Sequence, residues 1–364
     1  MILFSFSQVK LFDPSCKIEQ FLSQTLDPPG FESIQIAVGV LQEIGALSVD
    51  EQLNPLGQKF GYLPVHPYTS RMLIFSILMN CLDPALTLAC ASKFKDLFVL
   101  PILPDEKKRA AAARSELASL YGGCGDQFAI IAAFQCWINS KKMGLESRFC
   151  SQYFVSQRAM CKLDVMRKNL AAELYRNGLI NRSVTDYCSN AYDPGILQAV
   201  LVAGMYPMVG KLFFSSKSGN KIFVNTRNID NVFLNSDTVI YNLSSQNSLD
   251  CSFVVYDEIT SIDWGMCIGN CTAVGILPLF LLSKEIDVDQ AKDCTDNIIT
   301  VIIDRWLYFQ STAFDAFHMN YLRELLRAAI IDKVSQYFFT YSDSYLVNAS
   351  SFFLICLIFL FLFR

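Results

Sequence analysis

The chain has 364 residues, enough for two or three domains, and its 52% hydrophobic and 18% charged composition excludes a disordered polypeptide. A formal net charge of −4 and a pI of about 5.3 exclude a binder of nucleic acid that works by bulk charge, so any such role must rest on local basic faces. The 13 Cys and 2 His exclude an obvious zinc site: there is no CxxC pair, and Cys267-x₃-Cys271 has no His beside it.

The opening MILFSF has neither the basic start nor the cleavage site of a secretory signal, so the thiols are expected to be reduced, in the cytosol or nucleus. The sequons at Asn181, Asn242, Asn270 and Asn348 then read as chance matches. After Pro28-Pro29, Ile34, Ala37, Val38, Leu41 and Ile44 fall at helical spacing, and Gly45 is placed to end that helix. ALSVDEQL reads as a short hairpin, and Asn54-Pro55 as the cap and first residue of the next helix. Helix, hairpin, helix is the order of a winged-helix unit.

Two helices apolar nearly all round follow, over 70–80 and 84–92, separated by the stop-start signal Leu82-Asp83-Pro84. An Ala-rich helix carries Lys107 and Arg114 on one face. FAIIAAFQCWINSKK is another helix. A further one has Leu163, Met166, Leu170 and Leu174 as its core face, Arg158 and Lys162 one turn apart on another side, and Gly178 past its end. From about Leu197 to Tyr308 the character changes. KIFVNT, NVFLNS, DTVIYNL, SFVVYDEI and GILPLFLLS are short runs punctuated by Gly, Asn and Ser, and they predict strands of a small barrel or sandwich. A closing helix is expected over 312–334, with Leu322, Leu325, Leu326, Ala329 and Ile330 on its core side. The run from Phe352 to Phe363 is wholly apolar. Two readings of it stand: a membrane tail anchor, which needs ~20 residues, or a C-terminus with no selected role.

Few residues carry chemistry. FVVYDEIT, from Phe253 to Thr260, looks like a strand delivering two carboxylates to a metal. No G-x-x-x-x-G-K-[ST] exists to serve it, and the Gly-Lys of Val209-Gly210-Lys211 has no phosphate loop ahead of it. Asp257-Glu258 therefore read as solvated acids ending a barrel strand. His66, in a Pro-flanked turn, and His318, in the closing helix, make no evident triad, so no catalytic residue and no cofactor or metal site is assigned. Binding remains. Lys93, Lys95, Arg158, Lys162 and Lys211 are the candidate nucleic-acid contacts, with Lys107 and Arg114 as further cations; the plain alternative for each is solubilising charge. Trp137 and Trp264 could stack bases, although Trp137, in an apolar helix, is better suited to the core.

These residues resemble the C-terminal half of a DEAH/DExH-box RNA helicase. The resemblance is carried by Leu53-Asn54-Pro55-Leu56-Gly57, Leu63-Pro64-Val65-His66-Pro67, Arg71-Met72-Leu73, the Cys81-Leu82-Asp83-Pro84-Ala85-Leu86-Thr87 run, and Lys95-Asp96-Leu97-Phe98. Ala133-Phe134-x-x-Trp137, Ala203-Gly204-Met205-Tyr206-Pro207 and Val254-Val255-Tyr256-Asp257-Glu258 continue it, from about Leu11 to Val334. The wording is nearest to plant nuclear DEIH-box members. Leu97 in place of Pro, Gln127 in place of His, and NVFLNSDTV without His-Pro depart from the family pattern.

The resemblance implies an α+β multidomain chain. A partial winged helix spans 1–47, a helical ratchet bundle 48–179 and an OB-fold barrel with its C-terminal helix 180–335; the apolar tail is 336–364. The family's RecA-like domains, with their ATP and Mg²⁺, are absent from the chain. The implied role is an accessory RNA-binding and coupling half that does not hydrolyse ATP alone. The implied partners are single-stranded RNA, the RecA-like domains and an activator protein on the OB-fold; the implied location is nuclear or cytoplasmic. The acidic pI and the apolar tail support a different class, a protein-interaction scaffold or tail-anchored adaptor held to a membrane through Phe352 to Phe363.

Overall fold

The computed structural model describes residues 9–13, 15–94, 97–122, 124–215, 221–245, 252–263, 265–283, 285–289 and 298–339. Near the N-terminus, α1 (Ile18–Leu22) and α2 (Phe31–Glu43) pack through Ile18, Ile34, Val38 and Leu41, all at most 6% exposed. The 3.6-residue spacing of the apolar positions in α2 places them on one face. Gly45 follows with φ +74°, a left-handed conformation that favours glycine. A Leu47–Leu53 antiparallel bridge forms the predicted hairpin. Asn54 caps α3 (Pro55–Phe60) by accepting from Gly57 N at 2.8 Å. This layer shares its core with Ile74 and Leu78 of the following helix.

The helical body consists of α4 (Pro67–Leu78), α5 (Leu82–Ala91), α6 (Pro104–Ser119), α7 (Asp126–Lys142), α8 (Glu146–Gln152), α9 (Gln157–Arg176) and α10 (Pro194–Met205), with a 3₁₀ turn over Val184–Tyr187. Two starts precede the predicted ones. Pro67 occupies the first turn of α4 behind His66, and Pro84 lies within the first turn of α5, where its missing N–H costs nothing. Asp83 ties the bundle together. It accepts from Gln135 Nε2 at 2.7 Å and pairs with Arg167, whose guanidinium lies 4.2 Å from the Phe134 ring. Trp137 is fully buried beside Phe134, which settles it as core rather than a base-stacking platform.

Two expected strands are helices, and the expected β-rich segment opens with a third helix. α10 takes in Leu197 onward, capped by Asp193, which accepts from Ile196 N at 3.0 Å. Its Gly204 lies against the Met72 side chain of α4. DTVIYNL forms α11 (Val239–Ser245) and GILPLFLLS forms α12 (Ile276–Leu282). A continuous apolar run is compatible with a buried helix or a buried strand, and here packing against helices decided.

The strands that did form are β1 (Val209–Ser215), β2 (Lys221–Thr226), β3 (Val232–Leu234), β4 (Phe253–Tyr256), β5 (Ile259–Ile262), β6 (Gly265–Ile268) and β7 (Cys271–Val274). They make one sheet in the order β5-β6-β3-β2-β1-β4-β7, antiparallel except for the β3–β6 pair. Leu212, Val224, Val232, Val254 and Ile268 fill its core. A second antiparallel sheet runs β10-β9-β8, from β8 (Ile286–Asp289), β9 (Ile298–Ile303) and β10 (Leu307–Thr312). The closing helix α13 (Ala313–Phe339) runs past its expected end. No helix among the described residues is long and apolar enough to cross a membrane; the run from Phe352 to Phe363 lies outside the described residues.

Candidate nucleic-acid interface

The helical body meets the large sheet where α7 begins. Gly125 pairs with Thr272 of β7, and Ala273 N donates to Cys124 O at 2.8 Å. A Cβ at Gly125 would overlap Thr272 Oγ1 and Cα, so only glycine lets the two backbones come this close. Asp126 is fully buried in this joint. Its carboxylate accepts from Cys271 N at 3.0 Å and Val239 N at 3.1 Å, and pairs with Arg114 at 3.1 Å. Burial pushes the Asp126 carboxyl up; Arg114 and the two backbone donors oppose that. Arg114 also donates to Asp237 O and Asn270 Oδ1 and lies 4.7 Å from the Phe98 ring. Its guanidinium is thus committed to the joint and is not a free phosphate contact.

Beside the joint a cleft of about 560 Å³ opens between the helices and the sheet. Its walls include Leu88, Phe94, Phe98, Met205 and Met208, and its polar end is made by Gln127, Asp237, Asp257 and Asn270. The rings of His66 and Tyr68, also on its lining, stack with centroids 5.3 Å apart. Asp257 and Glu258 are both exposed, as the reading of FVVYDEIT as ending in solvated acids expects, and Asp257 is hydrogen-bonded as well. Gln127 Nε2 donates to its Oδ1 at 3.4 Å, and Asp257 N donates to Asn270 O at 3.2 Å. Asp257 lines the cleft, and protein crowds its carboxylate. That crowding pushes its pKa up to about 6; hydrogen bonds from Gln127 and Asn270 lower it, and Asp126 and Glu258 raise it. A smaller cavity of about 290 Å³ lies against the exposed loop carrying Leu100 and Ile102, with Lys107 on its lining.

Among the described residues the structure brings two of the sequence-assigned cations together. Arg158 and Lys162 are both exposed on the first turns of α9, four residues apart, while Met160 and Leu163 face the core. Lys93 is exposed just past α5. Lys211 is half-buried in β1, its Nζ 5.7 Å from the Phe213 ring. Lys95 and Trp264 lie outside the described residues. Neither cavity is lined by Lys93, Arg158, Lys162 or Lys211. Sequence reasoning missed the polar end of the cleft. Asp257 and Gln127 were each singled out, but nothing in the order of residues signals that they touch.

The resemblance attaches ATP and Mg²⁺ chemistry to other domains, and Gly210-Lys211 does not fit a phosphate site. Gly210-Lys211 sits inside β1, paired with β2 on one side and β4 on the other, so its backbone N–H groups cannot cradle a phosphate. Among the described residues no three His, Cys, Asp or Glu side chains converge in a way that could hold a metal.

Two family models match. Residues 66–130 match the helicase associated domain (HA2), ratchet-like, and residues 197–286 match the oligonucleotide/oligosaccharide-binding (OB)-fold. The chain is 43% identical over 376 aligned residues to the DExH-box ATP-dependent RNA helicase DExH6 of Arabidopsis thaliana, covering 90% of this chain and 29% of that protein. It is 42% identical to DExH2 of the same plant, over 90% of this chain and 23% of that protein. It is 30% identical to the ATP-dependent DNA/RNA helicase DHX36 of Homo sapiens, over 87% of this chain and 31% of that protein. The chain thus spans about a quarter to a third of the length of these relatives.

Proposed function

The chain carries the helicase-associated and OB-fold region of the DEAH/DExH-box RNA helicase family, and from that premise we propose that it is an accessory RNA-binding and coupling module of such a helicase. It grips single-stranded RNA and couples that grip to RecA-like domains that hydrolyse ATP. It turns over no ATP by itself. The observation that carries the reading is the order of the two matched regions, a ratchet-like bundle and then an OB-fold, joined through Asp126, Arg114 and Thr272. A module that grips a strand between two walls needs those walls held together, and a buried polar joint contributes to that. In this reading the N-terminal helix–hairpin–helix is a winged-helix remnant, and the module works in the nucleus or cytoplasm.

Arg158 and Lys162 are the contacts on which the proposal places most weight. A phosphate strand follows a line of cations, and these two are side by side on an exposed helical face. Fluorescence anisotropy of the purified chain with a single-stranded RNA should show weak binding that falls steeply with salt. Arg158→Glu with Lys162→Glu should weaken binding roughly tenfold at low salt and flatten the slope of log affinity against log salt by about 1.4, at ~0.7 for each phosphate of a single strand no longer neutralised. An unchanged slope would remove both residues from the interface. RNA-stimulated ATP turnover by the isolated chain would overturn the accessory reading altogether.

A further inference from the structure

The cleft beside the joint has the wrong charge for nucleic acid. Of the charged side chains on its lining, Arg114 is bound to Asp126, which leaves Asp237 and Asp257. Neither of these forms an ion pair among the described residues. A phosphate entering the cleft would meet uncompensated carboxylates. A strongly hydrated ammonium would meet mostly apolar and aromatic walls. A guanidinium suits both features, because it is planar and weakly hydrated, stacks on rings and forks onto carboxylates.

Among the described residues the molecule uses this combination twice in its own packing. Arg114 lies on Phe98 and pairs with Asp126; Arg167 lies on Phe134 and pairs with Asp83. The cleft offers the same two components, aromatic lining at Phe94 and Tyr68 and carboxylates at Asp237 and Asp257. Among the described residues its lining has no arginine besides Arg114, whose carboxylate partner is Asp126. At about 560 Å³ the cleft has room for a side chain together with the backbone that carries it.

We infer that the cleft between the helical body and the large sheet is a docking site for an arginine-bearing segment of a partner polypeptide, with Asp257 and Asp237 receiving the guanidinium. The site goes beyond the RNA-binding reading and stands without it, since the cleft and the exposed α9 cations share no residue.

The test uses the full chain and three fluorescein-labelled peptides with Gly alternating with Arg, Lys or citrulline. The Arg peptide should bind saturably. Citrulline, equal in shape but uncharged, should bind about tenfold or more weakly, and Lys several-fold more weakly. Asp237→Asn with Asp257→Asn should remove the preference for Arg, and so should Asp237→Lys, an exposed change that leaves the buried core untouched. An oligouridylate titration of the same variants separates this proposal from the RNA reading: its affinity should be unchanged or higher. Equal binding of Arg and Lys peptides, or binding unaffected by the acidic variants, would mean general attraction to an acidic protein and would overturn the site. Loss of oligouridylate affinity in the variants would overturn it too, because the cleft would then hold nucleic acid.

Discussion

Asp257 shows how one side chain changes meaning with its surroundings. In sequence it is the first acid after an apolar strand. In the structure it shares the cleft with Gln127 and Asn270, and Asp126, Glu258 and Asp237 add negative charge around it. Arg114 and His66 are the nearby basic groups on the cleft lining; Arg114 is held by Asp126, and burial keeps His66 below its ordinary pKa. Folding raises the Asp257 pKa from 3.8 to about 6, so the folded state takes up its proton more readily than the unfolded chain. The contribution of this group to stability is therefore greatest below pH 4 and falls as the pH rises through about 6. Asp257→Asn should raise the urea midpoint relative to the native chain more at pH 7.5 than at pH 4.5. An equal difference at both pH values would show that the carboxylate is not crowded. An acid that is unfavourable where it stands, at neutral pH, is consistent with one kept for a ligand.

At the scale of elements, periodicity was reliable where one face of a helix meets water. The stripes in α2 and α9 were legible for that reason. It failed for α11 and α12: at seven residues each, their runs are too short to show a 3.6-residue period, so they read as strands. The joint between α7 and β7 was also invisible, because its partners are 145 residues apart in the chain. Gly125 looks like an ordinary loop glycine until Thr272 is placed against it. Gly125→Ala should lower stability by about 1–3 kcal/mol, since the backbones must separate and the Asp126 and Gln127 bonds lengthen with them. Chemical denaturation would measure it. A loss no greater than that of Gly144→Ala, at a position where nothing lies within 4 Å but φ is +71°, would show that close approach is not what fixes the joint.

At the scale of the molecule, one apolar cluster runs from Leu73 and Leu86 through Trp137 and Leu201 to Val255, Leu279, Val301 and Leu326. The helical body, the edge of the large sheet, the second sheet and α13 thus share a core. Separate sequence-matched regions do not make separate folding units when their apolar faces cover one another. Scanning calorimetry of the chain should therefore give a single transition for the helical body and the OB-fold together, with calorimetric and van't Hoff enthalpies in agreement. Two resolved transitions would contradict the shared core.

The sequence by itself determined the local chemistry: the Asn54 cap with its proline, the helical stripes, the β-rich second half, the lack of a phosphate loop, and the motif order that marks a helicase C-terminal region. These are properties of neighbours in the chain, or of residue types that must occur together. Only the tertiary structure decided that Arg114 is a half-buried structural cation paired with Asp126, that Arg158 and Lys162 are exposed on the surface, and that Asp257 and Asp237 share a cleft. The physical reason is that charge acts through distance and dielectric, and both are set by residues far away in the chain that folding brings alongside.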